Sequence, residues 1–279
     1  MTDTTAALGA AFLLLGGLRL WLAWRSRSVV VGERNGTAVI VRRRGRYREL
    51  VLRKDGRELV QSRQAVGDPL DSGPGYVDGF HVAMLLEPRP EQVLFLGGGA
   101  CIAPRQFEAA YPDVSIDVVE NDPWVIAAAN RYFGFRITKR ISVHATDARK
   151  FVKESTFGPY DLVVLDVYDA HGIPPSLRGP ELFGALRSAL KDSGALIANL
   201  VAGSDDVRAR IAEAFRGWEI ADFVVDDQNT LVLAAPSIPP REVLRERARS
   251  TKSRAGDVLR AARNGSPSAG IEPSHGRET

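Results

Sequence analysis

The sequence predicts an α/β chain in which a mostly parallel sheet ends in an antiparallel hairpin and follows a small N-terminal β-ribbon. Three observations carry this. Between positions 93 and 200, short apolar runs alternate steadily with helical patterns, as expected of parallel strands covered on both faces. Residues 219–225 and 230–234 then read as strands separated by only Asp226-Asp227-Gln228-Asn229, too short a link for a crossover helix. Ahead of all this, residues 37–43, 47–53 and 57–62 cluster β-formers, with Gly45 and Asp55-Gly56 where hairpin turns are needed.

The chain is organised around residues 92–122. The run Val93-Leu94-Phe95-Leu96 leads into Gly97-Gly98-Gly99, a short helical pattern, and a second apolar run closing on Glu120. Strand, glycine turn, helix and strand tipped by a carboxylate form the first half of a nucleoside-binding unit, with Glu120 placed to hold ribose hydroxyls. Three glycines permit positive φ and close approach of a ligand, and Pro104 suits the first turn of the following helix. The turn is not a dinucleotide fingerprint, because Ile102 stands where the third glycine belongs.

The remaining elements follow in order. Residues 65–75 are a Gly-, Pro- and Asp-rich loop before a helix at 76–86. Helices are expected at 123–133, 148–154, 180–190 and 205–215, and strands at 141–144, 161–166 and 195–200. Pro236, Pro239 and Pro240 lead out of the domain into a charged helix at 241–263, whose eight Lys or Arg face three acids, and then a Gly-, Ser- and Pro-rich tail expected to be disordered. These signals divide the chain into an apolar segment at 1–28, a ribbon at 29–64, a nucleoside-binding domain at 65–236 and a charged appendage at 237–279.

Composition narrows the function. A single cysteine excludes an internal disulfide, and four scattered histidines lack zinc-ligand spacing, so no metal is expected. The net charge of +3 is small and concentrated at the ends, which argues for a solvated tail and against nucleic acid as partner. Residues 6–24 are apolar apart from Arg19 and are just long enough to span a bilayer. Eight Leu or Phe favour insertion by roughly 0.3–0.6 kcal/mol each, against less than about 3 kcal/mol for an off-centre Arg19. A membrane anchor with the catalytic part on the cytoplasmic side, a peripheral helix or misassigned start, and a cleaved signal all stay open. The dense arginines of the ribbon read as the wet face of a half-covered sheet, or as a basic docking surface.

From residue 37 to 235 the chain resembles the spermidine synthase (polyamine aminopropyltransferase) family, whose sheet is that of the class I S-adenosylmethionine-dependent transferases. The likeness rests on several segments in the right order: 93–99, Val118-Val119-Glu120-Asn121-Asp122-Pro123, 129–134, Thr146-Asp147-Ala148-Arg149-Lys150-Phe151, 160–169, and Ile173-Pro174 with Leu177 and Glu181-Leu182-Phe183. It implies a Rossmann-like fold and a transfer of aminopropyl from decarboxylated S-adenosylmethionine to a small amine such as putrescine, releasing methylthioadenosine. It further implies that Gly97, Gly98 and Gly99 line the arm of the cofactor, that Glu120 holds the ribose diol bidentately, that Asp147 accepts from the adenine amine beside Ala148, and that Asp166 sits at the tip of the fourth strand. Asp169 matches the catalytic aspartate, and Tyr76 and Gln61 correspond to substrate-side residues. A homodimer is a further expectation.

Two departures bear on the reaction. Ala100 stands where the family carries an aspartate for the ammonium of the aminopropyl group, an ionic hydrogen bond worth roughly 1.5–3 kcal/mol. The family's tyrosine-histidine-glutamate element is Tyr76-Val77-Asp78 here. A methyltransferase using intact S-adenosylmethionine and a nucleoside-binding protein without turnover are the alternatives. Local readings stand beside these: Asp147 as a helix cap, Cys101 as a small buried residue, and His81 and His144 as structural, with only His171 near the expected site.

Overall fold

The computed structural model describes residues 28–256 and 259, apart from positions 74, 155, 170, 171 and 252. The apolar segment at 6–24, His171 and the final tail therefore lie outside the described residues. No helix among the described residues is long and apolar enough to cross a membrane.

The N-terminal ribbon has four strands rather than three: β1 (Ser28–Arg34), β2 (Thr37–Arg44), β3 (Tyr47–Lys54) and β4 (Arg57–Ala65), paired antiparallel in chain order. The extra strand forms because Val29-Val30-Val31 can pair with β2 across Asn35-Gly36, both at positive φ, a strong hairpin signal. One face of this sheet packs Val39, Val41, Leu50 and Leu52 against Val125, Ala128 and Phe133 of the main domain. The approach is close at Gly32, where a Cβ would fall 2.0 Å from the Trp124 ring.

The main sheet holds β5 (Gln92–Leu96), β6 (Ser115–Val119), β7 (Ile141–His144), β8 (Tyr160–Leu165), β9 (Leu190–Val201), β10 (Glu219–Val224) and β11 (Asn229–Ala235) in the order β10-β11-β9-β8-β5-β6-β7. Pairings from β7 through β9 are parallel, while β11 runs antiparallel to both β9 and β10. The helices are α1 (Ile102–Ala110), α2 (Pro123–Tyr132), α3 (Ala148–Glu154), α4 (Pro180–Ala189), α5 (Asp205–Ala214) and α6 (Arg241–Ser250), with a 3-10 helix at Val77–Leu85. Alternate residues of each strand feed opposite layers: Val93 and Phe95 join Phe80 and Phe107, whereas Leu94 and Leu96 join Phe183 and Phe215.

The strand order reverses beside β5, which pairs with β6 on one flank, while the chain returns after β7 to place β8 on the other. Ligands of open α/β sheets bind at such a switch point, outside the carboxyl ends of the strands. Of the expected charged helix at 241–263, α6 covers Arg241–Ser250, and the described residues 255, 256 and 259 are helical again after a break at 251, 253 and 254. It is not simply solvated: Leu244 and Ala248 are buried in the core, and Arg247 Nη1 donates to the Leu85 carbonyl at 2.7 Å. An amphipathic stripe explains both facts, since its charged face meets water while its apolar face covers the 3-10 helix.

Candidate active site

The glycine turn after β5 is shaped by contacts that admit no side chain. Gly97 has φ +95°, and a Cβ there would lie 2.0 Å from the Asp166 carbonyl oxygen. Gly99, at φ +50°, would meet Ser62 Oγ at 2.6 Å. That hydroxyl accepts the Ala100 N–H at 3.0 Å, which fastens β4 to the turn. Ala100 itself packs in the apolar layer beneath the small sheet, with Val39 and Leu50. Cys101 caps α1 in a left-handed conformation, φ 53°, and burial pushes its thiol above the ordinary range, so it is a packed residue as expected.

Glu120 ends β6 and is 7% exposed. Its Oε2 accepts from the Gly98 and Gly99 amides at 3.1 and 3.2 Å, and Oε1 accepts from Asp122 N at 3.0 Å. Burial raises its pKa, and these backbone donors oppose the rise. A carboxylate offers about four acceptor positions. Three are taken by the protein. Asp147 caps α3, accepting Lys150 N at 3.0 Å through Oδ1, so the local reading of this residue holds while its side chain still lines the cleft.

Asp166 follows β8 and has the most distinctive environment. Tyr76 donates its hydroxyl to Oδ2 at 3.1 Å and Asn199 donates Nδ2 to Oδ1 at 3.1 Å. Burial outweighs both donors and lifts the carboxyl to about 6. Tyr76 is held by the 3-10 helix, edge-on to Phe80, and burial followed by the Asp166 charge keeps its phenol well above the usual value and therefore protonated. Asp169, three residues on, is locked in a turn by reciprocal backbone bonds with Gly172 at 2.9 and 3.2 Å.

A cleft of about 290 Å³ brings together Gln61, Gly97, Glu120, Asp147, Ala148, Asp166 and Asp169. A smaller cavity of about 30 Å³ joins Gln61, Gly97, Gly98 and Asp166 to Tyr76. Gln61, Gly97 and Asp166 line both spaces, and Gln61 Oε1 is buried with no hydrogen-bond partner among the described residues. Gly99 lines neither; it seats Ser62. Sequence reasoning missed Asn199, whose signal was a lone amide within the apolar run of β9, and the contribution of β1 and β3, which bring Arg34 and Lys54 to the cleft. Among the described residues no group of His, Cys, Asp and Glu could hold a metal.

A cleft rich in carboxylates beside a glycine turn suits a cationic nucleoside ligand. Residues 80–202 match the spermine/spermidine synthase domain. A polyamine aminopropyltransferase of Vibrio vulnificus is 29% identical over 184 residues, 64% of this chain and 62% of that protein. The chain thus spans less than two-thirds of this relative's length. Among solved structures, a spermidine synthase in complex with the transition state analogue AdoDATO aligns with a TM-score of 0.65 at 20% identity, covering 83% of each chain. Human methyltransferase-like protein 13 in complex with SAH aligns at 0.53 and 23% identity over 70% of this chain and 95% of its own. The structural likenesses show a shared fold, and in sequence residues 80–202, which carry the glycine turn, Glu120, Asp147, Asp166 and Asp169, are similar to the spermine/spermidine synthase domain.

Proposed function

We propose that this chain transfers an aminopropyl group from decarboxylated S-adenosylmethionine to a small primary amine such as putrescine, with methylthioadenosine as the second product. The observation that carries the reading is Asp166, a carboxylate with its pKa lifted to about 6 at the point where the two cavities meet, fixed by Tyr76 and Asn199. Perturbed carboxylates in a cleft are where proton transfer is expected.

The cofactor would lie with its ribose on Glu120, its adenine beside Asp147 and Ala148, and its arm over Gly97, which lines the cleft. It supplies an electrophilic carbon on a sulfonium. An amine is protonated at neutral pH, so a carboxylate must first bind the ammonium and then take its proton before the nitrogen lone pair forms the new C–N bond and the C–S pair returns to sulfur. The sequence points to Asp169 as this base. We assign the proton to Asp166, whose raised pKa suits the task, and to Asp169 the holding of the ammonium from the facing loop. Gln61 Oε1, buried and without a donor among the described residues, would accept from an amine N–H. Most of the remaining rate comes from in-line positioning.

A methyltransferase reading is favoured by one feature: Ala100 removes the acid that would repel the carboxylate of intact S-adenosylmethionine. The test is product identity. With decarboxylated cofactor and putrescine, methylthioadenosine should appear only when both are present, and Asp166→Asn should abolish it while cofactor binding persists; release of S-adenosylhomocysteine from intact cofactor instead would favour methyl transfer.

A further inference from the structure

The 3-10 helix Val77–Leu85 runs for nine residues. This conformation has poor hydrogen-bond geometry and seldom persists beyond three or four. Gly79 within it adds backbone freedom. Contacts from elsewhere must therefore hold the element, and what it carries bears on the site: Tyr76, its N-cap residue, donates to Asp166 Oδ2 at 3.1 Å.

The C-terminal segment supplies such contacts at both ends. At the C-terminal end of the 3-10 helix, Arg247 of α6 donates Nη1 to the Leu85 carbonyl at 2.7 Å and brings Nη2 to 3.3 Å from Glu87. At its N-terminal end, Arg254 Nη1 lies 3.5 Å from Asp78 Oδ1, across 176 positions of sequence. Leu244, Ala248, Ala255 and Leu259 share one buried cluster with Phe80 and Val82. Asp78 is also where the helix after the glycine turn meets this element, because Gln106 of α1 donates Nε2 to the same Oδ1 at 2.8 Å. Gln106 Oε1 pairs with His81 Nε2 at 3.3 Å, and His81 Nδ1 with the Tyr111 hydroxyl at 2.7 Å. Burial lowers the His81 pKa to about 3 and keeps the ring neutral, so the network is fixed near neutral pH.

We propose that α6 and Arg254 together clamp the 3-10 helix where the Tyr76 hydroxyl meets Asp166, which makes Arg254 a positioning residue for the reaction although it lines neither cavity. The path is short. Gly79 N donates to the Tyr76 carbonyl at 2.8 Å, closing a turn that contains Asp78, so a displaced Asp78 carries Tyr76 with it. The Arg254–Asp78 pair is about one-third exposed and contributes little to folding, so its loss moves the turn more than it loosens the domain. The inference rests on the aminopropyl-transfer reading and adds to it a control exerted from beyond the nucleoside-binding domain.

The test uses the full chain with Arg254→Gln, the conservative Arg254→Lys, and Arg249→Gln as a control at an exposed position of α6. Methylthioadenosine release from decarboxylated cofactor and putrescine gives kcat and KM, calorimetry gives cofactor affinity, and thermal unfolding reports on the fold. Arg254→Gln should lower kcat by roughly ten-fold, short of the hundred-fold that a misplacement of about 1 Å can cost, while KM, cofactor affinity and Tm stay close to wild type. Arg254→Lys should recover most of the rate, and Arg249→Gln should match wild type. A double-mutant cycle reads the route: in a Tyr76→Phe background Arg254→Gln should cost less than about two-fold, because residues acting through one contact do not add. An unchanged kcat, a fall in kcat that tracks a fall in Tm, or the same loss in both backgrounds overturns the clamp and leaves aminopropyl transfer standing. A wild-type chain that releases no methylthioadenosine overturns the transfer reading and the clamp with it.

Discussion

Replacing Asp166 by Asn should stabilise the protein while removing its activity, and the gain should depend on pH. Burial lifts the Asp166 carboxyl from 3.8 to about 6. The gap of about two units corresponds to up to about 3 kcal/mol at 1.36 kcal/mol per unit. Because the folded-state value is the higher one, the folded chain binds the proton more tightly than the unfolded chain. Stability is therefore greatest below the unfolded value and is lost as pH rises through about 4 to about 6. Above that window the wild type carries the full cost of a buried charge, whereas Asn is nearly isosteric and uncharged. In urea titrations Asp166→Asn should exceed wild type by up to about 3 kcal/mol at pH 8, or roughly 6–12 °C in Tm for a domain of this size. At pH 4 the two should nearly coincide. A stability difference of the same size at both pH values would refute the raised pKa and, with it, the choice of Asp166 as base.

Other expectations follow from the same contacts. Tyr76→Phe removes a donor that favours the ionised carboxylate, so Asp166 should titrate higher and the acidic limb of the pH–rate profile should move up by roughly one to two units, at about 1.5–3 kcal/mol per ionic hydrogen bond; an unmoved limb would separate Asp166 from the rate. Gly97→Ala places a methyl 2.0 Å from the Asp166 carbonyl at φ +95°, and calorimetry should show loss of cofactor binding; retained affinity would mean the turn can relax. Leu244→Ala should cost about 2–5 kcal/mol in chemical unfolding, because α6 is part of the core and not an appendage; a cost under about 0.5 kcal/mol would show the helix detached.

The parallel sheet was legible because continuous apolar runs such as Val93 to Leu96 have few alternatives once helical patterns separate them, and the terminal hairpin because four residues cannot hold a crossover. The glycine turn was legible for the same local reasons. What local pattern could not show was partnership. Glu120 was placed correctly at its strand end, yet nothing in the order of residues says that its oxygens close on the amides of residues 98, 99 and 122. Asp166 and Tyr76 are ninety positions apart, and their pairing depends on how the 3-10 helix crosses the sheet. β1 was not legible because its β-branched run directly follows the apolar segment, although Asn35-Gly36 marks a hairpin. The charged helix was read from its cations, and its two buried positions, Leu244 and Ala248, were outvoted.

Aminopropyl transfer is tested most directly by titrating the full chain in a calorimeter with decarboxylated and with intact S-adenosylmethionine, adding putrescine to each and assaying the products. The account predicts tighter binding of the decarboxylated form and methylthioadenosine only in the mixture that also contains the amine. Preference for the intact cofactor, with no methylthioadenosine in either mixture, would contradict it.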